Sequence, residues 1–139
     1  MKRILFIFIF LLTACAEPPL VALQSNVRMD ALRPDDIDGI SLFLYEGMRK
    51  DHIVLTCGTL LFRDLTPTDS KLDVLATKNA GSAELSSDPL TIQGITVGTG
   101  RVLYIEAYKA GDVKGNGCTA DIAIDAGKTT AVDITVYPL

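Results

Sequence analysis

Three aspartates directly before a glycine form the densest group of potential metal ligands in the sequence. Asp35, Asp36 and Asp38 precede Gly39, and carboxylate oxygens are the ligands that Ca²⁺ prefers. An EF-hand loop aligned on this glycine fails, because its first ligand position falls on a proline and its last on Tyr45. A looser calcium site between loops stays open as an alternative. We interpret the run as an acidic turn that leads into a strand, and we predict no metal site and no cofactor.

A single histidine, His52, restricts the catalytic chemistry that this chain offers. It excludes a zinc site built from several histidines. A Ser-His-Asp triad would have to use His52 with the adjacent Asp51, and neighbouring residues on a strand point to opposite faces. No glycine-rich phosphate loop followed by a helix is present. The sequence therefore predicts no catalytic residues.

The first fourteen residues have the parts of a secretory signal. Lys2 and Arg3 form a basic start, and Ile4 to Leu12 is an unbroken apolar run. This run is too short for a transmembrane helix, which needs about 20 residues. We predict a signal peptide over 1–14, an extended tether over 15–26 with two adjacent prolines, and a single folded domain over 27–139.

The end of the leader carries a short recognisable motif. Leu12-Thr13-Ala14-Cys15 resembles the lipobox of bacterial lipoproteins. The resemblance implies cleavage before Cys15 and acyl chains on that cysteine, which would anchor the protein to a membrane of the cell envelope. Ala16 in the next position favours the outer membrane in this family. The alternative is an ordinary secreted protein in which Cys15 is a plain thiol.

The other two cysteines follow from that resemblance. If lipid occupies Cys15, then Cys57 and Cys118 remain as an even pair in an oxidising compartment, and we predict a disulfide between them. The alternative is a reactive thiol at Cys57, assisted by His52.

Charge and size restrict the classes of partner. The formal net charge is −4, and loss of Lys2 and Arg3 with the leader makes the mature chain two units more negative. An acidic surface argues against nucleic-acid binding, which needs a clustered basic surface. The length that remains is near the commonest size of one domain.

Alternating apolar residues predict strands along the rest of the chain. Patterns of period two cover residues 38–46, 71–77, 90–97 and three segments after residue 100, with a bulge expected at Gly94. Residues 52–62 predict a strand followed by a turn or short helix, and 78–88 predict a surface loop. The fold class is therefore all-β, an antiparallel β-sandwich of six to eight strands.

The last 50 or so residues add a second resemblance. Residues 90–95, glycines at 98 and 100, the strand 102–107, Gly117-Cys118 and a final strand rich in threonine and valine resemble bacterial lipoproteins of uncharacterised function. That resemblance implies an immunoglobulin-like or prealbumin-like sandwich, and it implies no functional residues.

Tyrosines supply the best candidate for a binding surface. Tyr104 and Tyr108 lie on the non-core face of one predicted strand, and Tyr137 on another could neighbour them. Such a stripe suits protein contacts or stacking on sugars. The alternative, which we favour, is that these rings cover the second face of the sheet. The chain contains no tryptophan, the residue on which sugar-binding surfaces usually depend, and this argues against carbohydrate binding.

Together these features predict a lipid-anchored cell-envelope protein that acts as a non-enzymatic interaction or accessory module. Its expected partners are the membrane, through Cys15, and an envelope protein. Two alternatives remain. One is a module that binds glycan or a small ligand, and the other is a small envelope hydrolase that uses Asp and Glu as acid and base.

Overall fold

The computed structural model describes residues 21–86 and 89–139. The predicted signal peptide, Cys15 and residues 15–20 of the predicted tether lie outside the described residues. In chain order the elements are β1 (Val21–Met29), a 3-10 turn (Pro34–Asp36), β2 (Gly39–Tyr45), α1 (Cys57–Leu61), β3 (Val74–Gly81), a second 3-10 segment (Ser82–Ser86), β4 (Leu90–Ile95), β5 (Gly98–Lys109), β6 (Asp112–Ile124) and β7 (Thr130–Pro138).

The strands form one sheet that nearly closes into a barrel. Their order is β3-β2-β5-β6-β7-β1-β4, and the two outer strands, β3 and β4, approach each other across the remaining seam. The prediction of an all-β fold is confirmed, and the seven strands of the described residues fall within the predicted range. The sheet is mixed, since β1 pairs with β7 in parallel whereas every other pair is antiparallel.

The main core fills the inside of this sheet. Opposite sides of the barrel pack on one cluster of buried aliphatic side chains, as a sandwich-like arrangement requires. The alternation predicted for β5 and β7 is confirmed, because their inward positions are fully or nearly fully buried: Leu103, Ile105, Ala107, Val132, Ile134 and Val136.

A second, smaller core lies on the outer face of β2 and β5. Residues 46–73, which we call the cap, cross this face and bury Tyr45, Val102 and Tyr104 beneath them. The cap supplies four buried leucines that are irregularly spaced in the sequence: Leu55, Leu60, Leu65 and Leu72. Both faces of β2 are therefore covered, which agrees with the apolar residues that occupy both faces of this strand.

Several predicted boundaries differ from those observed. No strand forms over residues 52–57; an isolated bridge joins Met48 to Val54, and α1 follows because the Thr56 hydroxyl accepts a hydrogen bond from the Thr59 N–H and caps the helix. Residues 78–81, predicted as loop, continue β3, because Ala80 is buried opposite Ile40.

The start of the folded domain also differs from the predicted boundary. Residues 21–26, which we assigned to the tether, belong to β1 and pair with β4 and β7 on either side. The bulge expected at Gly94 is present: β4 carries one extra residue opposite β1, and Gly94 has φ +73°.

The register brings matching strand ends together at the two ends of the barrel. At one end β1 begins, and the cap leaves β2 and enters β3; we call this the N-terminal end. It is defined by the pairs Val21–Ile95, Leu23–Thr130, Gly98–Ile124, Tyr45–Val102 and Tyr45–Val74. The C-terminal end, where β7 finishes, carries the connections 30–38 and 110–111.

Candidate functional site

The cap is fastened to the sheet by a disulfide. Cys57 in α1 is bonded to Cys118 in β6, with the two Cα atoms 5.5 Å apart. The predicted pairing is confirmed. Because both sulfurs are used, Cys57 has no thiol for the reactive-cysteine alternative, and His52 lies exposed in the turn of the cap.

A hydrogen-bonded network of polar side chains lies under the cap. The Tyr104 hydroxyl donates to Glu106 Oε1 (3.1 Å) and accepts from the side-chain amide of Asn116 (3.4 Å). The same amide donates to the carbonyl oxygen of Leu61 at the end of α1 (3.1 Å), and the Tyr45 hydroxyl donates to the carbonyl oxygen of Pro67 (2.9 Å). These bonds satisfy the polar groups that the cap buries, and they fix its position on the sheet.

The two buried tyrosines are weak acids. Burial raises the pKa of Tyr104 to about 12; the Asn116 amide lowers it, while the Glu106 carboxylate raises it further. Burial also raises the pKa of Tyr45, and the nearby Tyr104 and Glu106 act in the same direction. Neither phenol is therefore suited to proton transfer near neutral pH, which needs a pKa close to the working pH.

Two exposed aromatic rings flank this network, and we call them the aromatic flank. Phe62, which ends α1, is 83% exposed, and Tyr137 in β7 is 54% exposed. Both are placed beside Asn116, because Tyr137 pairs with Asn116 across β6 and β7 while the Asn116 amide bonds the residue before Phe62. Exposed aromatic residues on a fixed surface are typical of protein contact sites.

The predicted tyrosine stripe is not one continuous exposed surface. Tyr104 is 1% exposed beneath the cap, Tyr108 is half-buried and pairs with Gly39 near the C-terminal end, and Tyr137 lies on the surface. Tyr104 thus fits the interpretation in which these rings cover the second face of the sheet. Sequence reasoning missed Phe62, since it ends the apolar run Leu60-Leu61-Phe62, and nothing in that run separates the exposed ring from the buried leucine.

A groove opens at the N-terminal end between the cap and two facing bulges. β5 carries an extra residue near Gly100 and β6 carries one near Asp121, and both residues have positive φ (68° and 58°). The groove has a volume of about 290 Å³ and is lined by Glu46, Gly47, Met48, Val54, Leu55, Thr99, Gly100, Val102, Ala120 and Asp121. Its walls are mostly apolar, with two carboxylates.

A buried arginine forms an ion pair with one of these carboxylates. Arg101 is 5% exposed, forms an ion pair with Glu46, and donates a hydrogen bond to the carbonyl oxygen of Val97 (3.2 Å). A buried charge is tolerated only with such a partner. The hydrolase alternative needs an acid and a base, and the two carboxylates of the groove differ in their contacts. Within 21–86 and 89–139 Asp121 forms no ion pair, whereas Glu46 is paired with Arg101.

The acidic turn uses two of its three carboxylates to bind backbone. Asp36 accepts a hydrogen bond from the Arg33 N–H (3.2 Å), and Asp38 accepts one from the Ala110 N–H (2.6 Å). In the part of the chain that the structure describes, no group of three or more His, Cys, Asp or Glu side chains is placed to hold a metal ion. Likewise, none of the helices among these residues is long and apolar enough to cross a membrane.

Comparisons with protein-family models, with curated proteins and with solved structures found no match for this chain.

Proposed function

We propose that this chain is a lipid-anchored protein of the bacterial cell envelope that acts as a non-enzymatic interaction module. The anchor is Cys15, whose surroundings Leu12–Cys15 resemble a lipobox, and Ala16 favours the outer membrane. Acyl chains of this kind stabilise membrane attachment by about 0.8 kcal/mol for each buried methylene group.

The distance between anchor and domain supports a location close to the membrane. β1 begins at Val21, six positions after Cys15. Six residues span at most about 20 Å when fully extended. The domain therefore works within a narrow layer above the membrane surface, where a partner must also lie.

The observation that carries the interaction proposal is the aromatic flank. Phe62 exposes 83% of its surface although it sits on a cap that a disulfide and buried hydrogen bonds hold in place. A large exposed ring on a fixed support loses little conformational entropy on binding, which favours a contact with another protein. Tyr137 widens the same surface.

The test is photo-crosslinking in intact cells that express the full-length chain. A benzophenone amino acid replaces Phe62 in one form. In the matched control it replaces Gln93, an exposed residue of β4 that lies three strands away from β6 in the sheet. We expect one dominant crosslinked envelope protein from position 62 and none from position 93. Equal products from both positions, or none from either, would contradict the proposal.

A separate measurement tests the anchor. Labelled palmitate should enter the wild-type chain and not the Cys15→Ser form, which should also move from the membrane fraction to the soluble fraction. Label in both forms would remove the anchor from the proposal.

A further inference from the structure

The path of the chain gives the domain a fixed orientation relative to its anchor. Val21 pairs with Ile95 at the N-terminal end of the barrel, so the segment from Cys15 reaches the domain at that end. The connections 46–73 and 96–97 lie at the same end. A tether of at most about 20 Å cannot pass along the length of the barrel, because the nine residues of β1 alone span about 30 Å. The N-terminal end therefore faces the membrane. This step rests on the proposed lipidation of Cys15.

Exposed apolar side chains concentrate at this same end. Within the described residues, five of the eight large hydrophobic side chains that are exposed lie there, in the cap, in the connection before β5 and at the start of β3: Met48, Ile53, Val54, Val74 and Val97. Ile53 and Val54 are 53% and 62% exposed and adjacent in sequence. Apolar residues grouped in this way mark an interaction surface and are uncommon on a surface that contacts only water.

The tip of the cap, residues 48–54, satisfies several of its backbone N–H groups by hydrogen bonds within the cap. The Arg49 N–H donates to the Ile53 carbonyl oxygen and the His52 N–H to that of Arg49, both at 2.9 Å. The Lys50 N–H donates to the carbonyl oxygen of Lys71 (2.9 Å), which ties the tip to the rest of the cap. Hydrogen bonds of this kind lower the free-energy cost of moving backbone groups out of water.

The charges of the domain agree with this orientation. At the C-terminal end, the connection 30–38 carries four aspartates and one arginine. The cap is nearly balanced, with five acidic and four basic residues: Glu46, Asp51, Asp64, Asp69 and Asp73 against Arg49, Lys50, Arg63 and Lys71. Anionic headgroups repel an acidic surface, so the less acidic end is the one that a bilayer accepts.

We propose that the tip of the cap docks on the bilayer, with Ile53 and Val54 inserted among the lipid headgroups and the barrel axis directed away from the membrane. The occupant is the bilayer rather than a protein because the tether places this end against lipid before any partner can reach it. Insertion of a few apolar side chains adds to the acyl anchor and fixes the tilt of the barrel, since the tether sets only which end faces the membrane.

Tryptophan fluorescence tests the proposal, because the chain contains no tryptophan. The protein for this experiment is the chain from Cys15 onward, which contains every described residue. Cys57 and Cys118 are bonded to each other, so the Cys15 thiol is the one available for coupling. Coupling Cys15 to maleimide lipids in phosphatidylcholine–phosphatidylglycerol vesicles replaces the natural lipid. The probe is Ile53→Trp, with Val54→Trp as a second form. The control is Leu139→Trp, which changes an equally exposed residue at the C-terminal end.

We expect the tryptophan at position 53 to shift its emission to shorter wavelength on tethering and to be quenched severalfold more by brominated phospholipids than the tryptophan at position 139. The position 54 form should behave like the position 53 form. If the tryptophans at positions 53 and 54 are not quenched by brominated phospholipids while the protein is tethered and folded, the proposal is overturned. The apolar surface would then belong to a protein partner. Equal quenching at 53 and 139 would overturn the orientation.

The design separates this inference from the proposed function. Tethering through maleimide does not depend on natural lipidation, so a negative result overturns the docking and leaves the anchor untouched. Loss of palmitate label in cells tests the anchor alone.

Discussion

At the scale of single residues, Tyr104 shows how burial changes the role of a side chain. In sequence it stands on the face of β5 opposite the core; in the structure the cap covers it and its hydroxyl joins Glu106 to Asn116. Its function is to fix the cap, and this function has a measurable consequence for stability.

The stability of the domain should fall at alkaline pH because of its buried phenols. The pKa of Tyr104 is raised from 10.0 to about 12 in the folded state, so between these values the unfolded chain releases a proton that the folded chain retains. This stabilisation is complete below pH 10 and is lost as pH rises to 12. We expect a decrease on the order of 1–2 kcal/mol per phenol, measured by urea unfolding from pH 8 to 12.

The matched variants are Tyr104→Phe and Tyr137→Phe. The first removes one of the two buried phenols and should make the alkaline decrease smaller while Tyr45 still contributes, even if the variant is less stable at pH 8. The second changes an exposed tyrosine and should leave the decrease as it is in the wild type. An alkaline decrease that is identical in all three proteins would show that Tyr104 does not cause it.

A close backbone approach at the groove gives a second prediction at this scale. A Cβ on Gly47 would overlap the carbonyl oxygen of Gly100, which is backbone and cannot rotate away. We expect Gly47→Ala to reduce the free energy of unfolding by about 1–3 kcal/mol. In the control Gly81→Ala, the new Cβ meets nothing within 4 Å, and the change should stay within about 0.5 kcal/mol. Similar losses in both variants would contradict the packing argument.

At the scale of elements, the cap separates what a sequence can predict from what it cannot. Strands β2, β5 and β7 and the second half of β6 follow from alternating apolar residues. Residues 112–117, whose glycines predict a turn, instead form the first half of β6. The cap has no such period, because its four buried leucines contact the sheet from an irregular chain. Because the sequence does not show that the cap leucines contact the sheet, it could not predict what covers the outer face of β5.

The disulfide should account for much of the cap's stability. It closes a loop with a sequence separation of 61, which in the chain-entropy model stabilises the fold by about 4 kcal/mol. The double variant Cys57→Ser/Cys118→Ser should lose an amount of this order in denaturant unfolding. Amide exchange should rise first in residues 46–73, because the inner core does not depend on the bond.

Amide exchange in the Cys57→Ser/Cys118→Ser variant also shows whether the two cores unfold separately. If all strands lose protection together with the cap, the two cores unfold as one unit. The fixed support that the aromatic flank requires would then be the whole barrel and not the cap alone.

At the scale of the molecule, the position of β7 determines whether the sheet exists. β7 lies between β6 and β1, and its parallel pairing with β1 runs from Leu23–Thr130 to Met29–Val136. This pairing was not predicted, because a parallel partner 107 residues away leaves no local signal and the alternation of β7 suits either direction.

Removal of β7 should therefore abolish cooperative folding. We expect a chain that ends at residue 129 to show no unfolding transition by circular dichroism, since β1 and β4 would have no connection through the sheet to β6. A chain that ends at Pro138 keeps all of β7 and should unfold like the wild type. A truncated chain with a normal transition would show that the remaining strands can form a stable sheet alone.

If the chain is exported as proposed, the same parallel pair has a consequence for that step. Among the described strands β1 would cross the membrane first and its neighbour β7 last, so this sheet could close only after residues 130–138 have crossed. Contacts that join distant parts of a chain also form slowly. During that interval β1 would lack its β7 partner along one edge, where a chaperone that covers strand edges would protect it from aggregation. On the proposed export route, the time needed to deliver β7 would therefore set how long that edge of β1 stays open.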